Sequence, residues 1–423
     1  MHIPDGYLSP LVSLGTGVAT IPAWAIATER VKRVLDNRSV PLLAVFAALS
    51  FTIMMFNVPV PGGTTAHGVG GALIAIVLGP WAAVIAVSVA LVIQALFFGD
   101  GGVLAIFVNC LNMAVILPFV GYGTYRLLAG RSPVLSVRRA WAAAIGGYVG
   151  LTVAAAAVGV ELGVQPVLFT EHGHALYSPY TLGQAVPAMV LAHVFGASIV
   201  EALISGLGVA YFQRRHPEYL GPLRATFAHG LTQDEGAAPR PLWHVALASG
   251  GGALAVLAVA GLVTGGGDPG RLFGADWSQV SWPDVATMLV LVSALALLLV
   301  PLAYAALPAH WKRVGAAFTL LAVIAPLGLI APGFAYGEGS TGDVEAAFGY
   351  VPQGLRDLSG LFVAPLSGYN VPLPFFSEAH APLWHVAIGY EITGVLGMLL
   401  VGLTIGLLSR LLRGTAPAPS GDA

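Results

Sequence analysis

Charge is scarce in this chain. Only 18 of 423 residues are Lys or Arg and 20 are Asp or Glu, 9% in all, where a soluble domain carries roughly 25%. A chain so poor in charge and 57% apolar reads as an integral membrane protein with many spans. Cysteine is all but absent. The one thiol, Cys110, lies inside an apolar run, which excludes a disulfide framework and a thiolate metal cluster. A net charge of −2 argues against a nucleic-acid partner. No GxxxxGK[ST] loop, HExxH or GxSxG occurs, so ATP hydrolysis, zinc proteolysis and serine hydrolysis lack their motifs. Energy for any transport would have to come from a partner or a gradient. Neither a basic n-region nor a cleavable h-region precedes Met1-His2-Ile3-Pro4-Asp5-Gly6-Tyr7, so a free terminus at Met1 is expected just ahead of the first membrane helix.

Glycine (54) and proline (29) are plentiful, as in tightly packed and broken membrane helices. Apolar runs suggest spans at Leu11–Ala27, Pro41–Phe56, Val69–Leu78, Trp81–Phe98, Val103–Leu128, Trp141–Val160 and Leu182–Phe212. Four more follow at Trp243–Val263, Val285–Leu307, Ala316–Ile330 and Leu383–Leu408. The expected fold is all-α, a polytopic transmembrane helical protein of about eleven helices. Its parts are a membrane unit over 1–215, a polar cytoplasmic linker over 216–241 and a two-helix segment over 242–308. A second helix pair over 309–413 flanks a long outer loop, 331–382, and a disordered tail is expected over 414–423. With the N-terminus outside and the C-terminus cytoplasmic, only Arg271 and Arg356 of the 18 basic residues fall on the outer side, in keeping with the positive-inside rule. The same threading brings Met1, the His67 loop and the Gly99–Gly102 turn to the outer side together.

A chain that opens Met1-His2 can chelate one metal ion through three nitrogens: the terminal amine, the His2 amide and the His2 imidazole Nδ1. Amine and amide close a five-membered ring, and amide and Nδ1 a six-membered one. Both are nearly strain-free when the nitrogens are coplanar, and a square plane of nitrogens favours Ni(II) or Cu(II) over Zn(II). His2 could equally stand there by chance. His67, in Pro61-Gly62-Gly63-Thr64-Thr65-Ala66-His67-Gly68, is an imidazole at the mouth of a short, glycine-rich span, where it needs a partner. It could complete the plane, or simply bond a carbonyl in its loop. Gln94, Asn109 and Asn112 are polar residues within apolar spans. They could hold the imidazoles from behind or satisfy backbone between helices.

His193 and Glu201 lie eight residues apart on one expected helix, and a structural polar pair is the favoured reading. Glu171-His172-Gly173-His174 falls in an exposed loop, and His229, His244, His380 and His385 show no ligand spacing. Ala19, Ala23 and Ala27 form a small-residue stripe suited to close helix contact.

The opening Met1–Leu8 resembles the start of the CbiM/NikM membrane subunits of energy-coupling-factor cobalt and nickel importers. So do His67-Gly68-Val69-Gly70-Gly71-Ala72-Leu73, Leu78-Gly79-Pro80-Trp81-Ala82, Gln94–Gly102 and Asn109–Gly121. Gly68 stands where the family commonly has Pro, which should loosen the loop slightly. Ala331–Gly339 and Phe348–Leu355 resemble the small CbiN/NikN accessory component, fused in one chain. There Pro352-Gln353-Gly354-Leu355 departs from the cobalt-type Pro-Asp-Gly-Leu-Glu, which tilts the expectation to nickel. The resemblance implies a four-nitrogen site of the Met1 amine, the His2 amide and imidazole, and His67. It implies Ni2+ or Co2+ as transported substrate and no organic cofactor. The implied partners are a CbiQ/NikQ-like coupling subunit and CbiO/NikO-like ATPases in the plasma membrane. Two rival readings are a gradient-driven metal channel or exporter, and a haem- or metal-dependent membrane enzyme using His67 and His193.

Overall fold

Ser9 starts the first membrane helix. Its Oγ accepts the Val12 amide at 3.2 Å, and Pro10 fills the first helical position, where its missing N–H costs nothing. Helices α1 (Pro10–Gly15) and α2 (Gly17–Lys32) follow, and Arg30 and Lys32 in the last turn complement the helix dipole. In this computed structural model residues 1–33, 39–60, 64–220, 281–306, 312–330, 335–377 and 381–413 are described.

Helix α3 (Ser39–Met55) leads into an antiparallel hairpin of β1 (Val58–Val60) and β2 (Thr64–Ala66), with Val58 opposite Ala66. Next come α4 (Gly71–Leu78) and α5 (Pro80–Ile93), broken apart at Gly79-Pro80. A π-helical turn, Gln94–Phe98, extends α5. Helix α6 (Ile106–Cys110) continues through a second π turn, Leu111–Ile116, into α7 (Leu117–Ala129). Helices α8 (Val137–Gly163) and α9 (Gln165–Leu168) precede a small hairpin of β3 (Thr170–Glu171) and β4 (His174–Ala175). Helix α10 (Leu182–Ala192) passes through a third π turn, His193–Ala197, into α11 (Ser198–Arg215).

The C-terminal part holds α12 (Trp282–Ala306), α13 (Lys312–Ile324), α14 (Thr341–Phe348), α15 (Gln353–Leu358), α16 (Pro374–Ser377) and α17 (Leu383–Arg413). The architecture is that of an all-α polytopic membrane protein. Among the described residues seven helical stretches are long and apolar enough to cross a bilayer, and Val40–Met55 and Gly315–Ile330 are shorter apolar helices.

Helix α4 differs from an ordinary span. Eight residues reach only about 12 Å, against a hydrocarbon core of about 30 Å. Glu201, near the middle of the Leu182–Arg215 stretch, accepts the amides of Val69 and Gly70 just before α4 and of Ala72 in its first turn. So α4 starts at half-depth, and the extended chain before it supplies the rest of the crossing. Such backbone is tolerated in a membrane only when buried and satisfied by protein, and His67 to Val77 are buried throughout.

The C-terminal helix α17 lies against α3. The Tyr390 hydroxyl donates to Met55 O at 2.6 Å, and Phe51 occupies the space above Gly397. Met288, Val292, Val323 and Ala387 form a second apolar cluster among α12, α13 and α17. Of the alanine stripe, Ala23 and Ala27 are buried within the chain and only Ala19 is exposed. The linker begins as a 3-10 turn, Pro217–Leu220. The rest of it, the expected span Trp243–Val263, Arg271, His229, His244, His380 and the tail 414–423 lie outside the described residues.

Candidate metal centre

The first eight residues run inside the protein. Met1, His2, Ile3, Tyr7 and Leu8 are all buried, and their backbone is fixed from several elements. Asn109, at the end of α6, treats Ile3 as a neighbouring strand would: its Oδ1 accepts the Ile3 amide at 2.9 Å and its Nδ2 donates to Ile3 O at 3.1 Å. Gly102 N donates to Ile3 O at 2.8 Å. Asp5 accepts the amides of Val103 at 3.0 Å and Leu104 at 2.8 Å. Ser178 N donates to Tyr7 O, and Ser9 N to the Gln165 side chain. The Gly101–Gly102 turn passes so close that bulk is excluded. Gly101 has φ +87°, and a Cβ there would meet Asn109 Nδ2 at 2.9 Å; at Gly102 it would strike Asp5.

The second wall is the turn after β2. His67 Nδ1 donates to Gly68 O at 2.9 Å, which leaves Nε2 with its lone pair. That Nε2 lies 3.1 Å from His2 Nδ1. Two nitrogens cis on one metal at about 2 Å each are about 2.9 Å apart, so these atoms are placed as two adjacent ligands would be. The turn is not loosened by Gly68. A Cβ at Gly68 would sit 3.3 Å from Ile53, Val200 and Ile204, and Glu201 accepts the amides of Val69, Gly70 and Ala72 just beyond.

Both imidazoles are held neutral. Burial lowers the His2 pKa to about 4, helped by the Met1 ammonium, while Glu338 and Gln94 pull the other way. His67 lies well below the ordinary histidine value, by burial, the Met1 ammonium and His2 in that order. Neutral imidazoles are the ligand form. Among the described residues no group of three or more His, Cys, Asp or Glu side chains is arranged to hold a metal. The donors that meet are the two imidazole nitrogens, with the Met1 ammonium near enough to depress both pKa values.

The other residues singled out from the sequence are placed differently. Gln94 borders His2 and donates to the Tyr369 hydroxyl at 2.8 Å and to Asp100 at 3.4 Å. Asn109 holds the Ile3 backbone rather than an imidazole. Asn112 does not reach the imidazoles, because its Nδ2 donates to Glu161 at 2.6 Å. The expected pairing of His193 with Glu201 is not made. His193 Nδ1 bonds Met189 O, and Glu201 bonds the turn after His67. Eight residues along one helix hold the two about 12 Å apart, too far for a direct bond, and the π turn His193–Ala197 lies between them. His172 is exposed at a hairpin tip, and His174 packs against Tyr350 with the rings tilted. His385 stacks on Phe375 at 4.0 Å.

Three neighbours of the centre were not read as site residues in the sequence. The Met1 ammonium pairs with Glu338 Oε1 at 3.1 Å. Asp100 Oδ1 lies 3.2 Å from His2 Nδ1. The Tyr369 hydroxyl donates to Asp100 Oδ2 at 2.6 Å. Asp100 and Glu338 both sit in stretches that carry the family resemblance. Tyr369 had no such signal beyond a tyrosine in a polar loop.

The sequence profile described as "Cobalt uptake substrate-specific transmembrane region" matches residues 2–219. The chain is 47% identical over 267 residues to the fused nickel transport protein NikMN of Rhodobacter capsulatus, covering 63% of this chain and 74% of that protein. It is 47% identical over 219 residues to a putative metal transport protein of Methanocaldococcus jannaschii, covering 52% of this chain and 94% of the other. A solved structure of a truncated transition metal transporter is 52% identical, with a TM-score of 0.48 over 51% of this chain and 99% of that one.

Proposed function

The chain belongs to the family of cobalt-uptake substrate-specific transmembrane proteins, and on that premise we propose that it captures Ni2+ from the outer side of the membrane for uptake driven by partner ATPases. The observation that carries this reading is the 3.1 Å approach of His67 Nε2 to His2 Nδ1, beside the Met1 amine. The proposed ligands are the Met1 amine, the His2 amide nitrogen and Nδ1, and His67 Nε2. An amine, a deprotonated amide and two imidazoles in a plane suit Ni(II). The fused nickel transporter named above supports nickel over cobalt.

Several features support a role for the site within a larger machine. The chain carries no phosphate-binding loop, so ATP hydrolysis falls to separate ATPase subunits joined through a coupling membrane subunit, as in energy-coupling-factor importers. Residues 1–215 act as the metal-binding component, 216–241 as a cytoplasmic linker and 309–413 as a fused accessory component. The basic residues favour an outer N-terminus and a cytoplasmic C-terminus. Asn109, Asp5, Gly102 and Ser178 position the N-terminal chelate, and Glu201 positions His67.

The test is bound metal per chain, measured by mass spectrometry on C-terminally tagged protein, against a variant with one residue added before Met1. The extension moves the amine out of its five-membered ring and keeps every side chain. Near-stoichiometric nickel that the extension abolishes is the expected result. Cobalt in place of nickel reassigns the ion, and equal binding by both proteins removes the terminus from the ligand set.

A further inference from the structure

Met1, His2 and His67 are 3%, 2% and 4% exposed, so an ion from solution cannot reach them directly. A cavity of about 460 Å³ is separated from them only by their neighbours, Gly101 against His2 and Glu338 against Met1, which line it. One wall is the N-terminal segment with the Gly99–Val103 turn. The opposite wall belongs to the accessory segment, where Ser340, Thr341, Ser359 and Phe362 line it. Ser340, Ser359 and Phe362 are exposed, so the cavity opens outward. A dication with six waters needs about 200 Å³, and it fits with its hydration shell.

Two lining residues carry charge. Asp5 is committed, since its oxygens accept the amides of Val103 and Leu104. Glu338 is different. It lines the cavity, its side chain is 23% exposed, and its Oε1 touches the Met1 nitrogen at 3.1 Å. It therefore belongs to the cavity and to the buried centre at once. A tether holds it there, because the Tyr7 hydroxyl donates to Gly339 O at 2.8 Å.

We propose that this cavity is the entry vestibule for a hydrated divalent cation and that Glu338 is its first protein ligand, a relay that hands the ion to the Met1-His2 chelate. The inference rests on the metal centre proposed above. The incoming ion exchanges water for the carboxylate, which has until then held the amine. A dication attracts the carboxylate about twice as strongly as an ammonium does at equal distance, so the ion takes Glu338, the ammonium gives its proton to vestibule water, and the freed amine nitrogen turns to the ion. The next exchange delivers the ion to nitrogen ligands. The accessory segment thus contributes a carboxylate to loading while staying outside the final ligand set.

A relay ligand lowers the barrier in both directions. Ni2+ loading and release into a strong chelator are measured by stopped-flow on the full chain in nanodiscs, for wild type, Glu338→Gln and Ser359→Trp. Ser359 lies on the far wall and touches no proposed ligand; a Trp there narrows the vestibule. Both variants should load and release about tenfold or more slowly, with the affinity, the stoichiometry and the visible spectrum of bound nickel little changed. A wild-type loading rate in either variant overturns the proposal. A slower on-rate in Glu338→Gln with release unchanged also overturns it, because Glu338 then acts only by distant attraction. If Glu338→Gln does not fold, Ser359→Trp decides alone. The chain with one residue before Met1 separates the two readings: if it binds nickel as wild type does, the assignment of the centre fails, while the rates still decide the route.

Discussion

Glu201 Oε2 accepts the amide hydrogen of Gly70 at 2.7 Å. The same oxygen takes the Val69 amide at 2.8 Å, and Oε1 takes that of Ala72 at 3.2 Å. One carboxylate, with no exposed surface, thus satisfies the start of α4 and fixes the turn that presents His67. Bonds from amides to a charged acceptor contribute about 1.5–3 kcal/mol each. Glu201→Gln keeps the shape, but its NH2 must face an amide donor. It should lower the unfolding free energy by about 2–3 kcal/mol and nickel affinity by about tenfold. Thermal unfolding and calorimetric titration of the same variant check both. Wild-type values in each would remove Glu201 as the anchor of the turn.

Asn109 makes a different kind of clamp, with one bond to Ile3 N and one to Ile3 O. Asn109→Ala leaves the Ile3 amide unpaired in a buried site and Ile3 O with Gly102 N alone. The Met1-His2 chelate loses its register, and affinity should fall by about 10–100-fold. Asn109→Asp keeps the acceptor and loses the donor, so it should fall between the alanine variant and wild type. Equilibrium nickel titration of the three proteins gives the order. An aspartate variant that binds worse than the alanine variant would contradict it.

The neutral imidazoles make apo-protein stability depend on acid. An unfolded His2 takes a proton near pH 6.5, whereas the folded one does so only near pH 4. Between these values the unfolded chain binds the extra proton. Stability from this group is therefore complete above about pH 6.5 and is lost as the pH falls toward 4, up to about 3 kcal/mol. His67 acts in the same direction. The apo unfolding midpoint should drop across this window, and His2→Gln should flatten the slope. A midpoint independent of pH in wild type would mean that the folded site takes up protons as readily as the unfolded chain.

The membrane fold was legible because scarcity of charge and long apolar runs follow directly from the bilayer. The expectation of a Met1-His2 chelate comes from ring sizes set by covalent structure within two residues, and the structure brings His67 Nε2 to 3.1 Å from His2 Nδ1. Other features depend on the assembled bundle. Spacing put His193 and Glu201 on one face, but eight residues hold them about 12 Å apart along the helix, and packing gives each its own partner, Met189 O for His193 and the turn after His67 for Glu201. Gly68 looked like slack and is packed between Ile53, Val200 and Ile204. Asn112 is as polar and as deep as Asn109, and only the packing sends it to Glu161. Glu338 meets Met1 across 337 positions of sequence, a separation at which no pattern within one sequence links two residues.

Tyr369 ties the C-terminal segment to the centre. Its hydroxyl donates to Asp100 Oδ2 at 2.6 Å and accepts from Gln94 at 2.8 Å, and its ring stacks on Phe98 at 4.9 Å. Tyr369→Phe keeps the stack and removes the hydroxyl. Asp100 then lacks its best donor, and the nearest replacement is His2 Nδ1, 3.2 Å from Oδ1. A proton placed there sits on the nitrogen the metal needs, so the apo state is favoured at the expense of the loaded one. Nickel affinity should fall by about tenfold, about 1.4 kcal/mol, the size of one such hydrogen bond. Adding Asp100→Asn removes the anion that draws the proton, so the double variant should recover most of the loss. The two changes are thus coupled by about 1 kcal/mol in a double-mutant cycle. Losses that simply add would show that Tyr369 supports the site through packing alone.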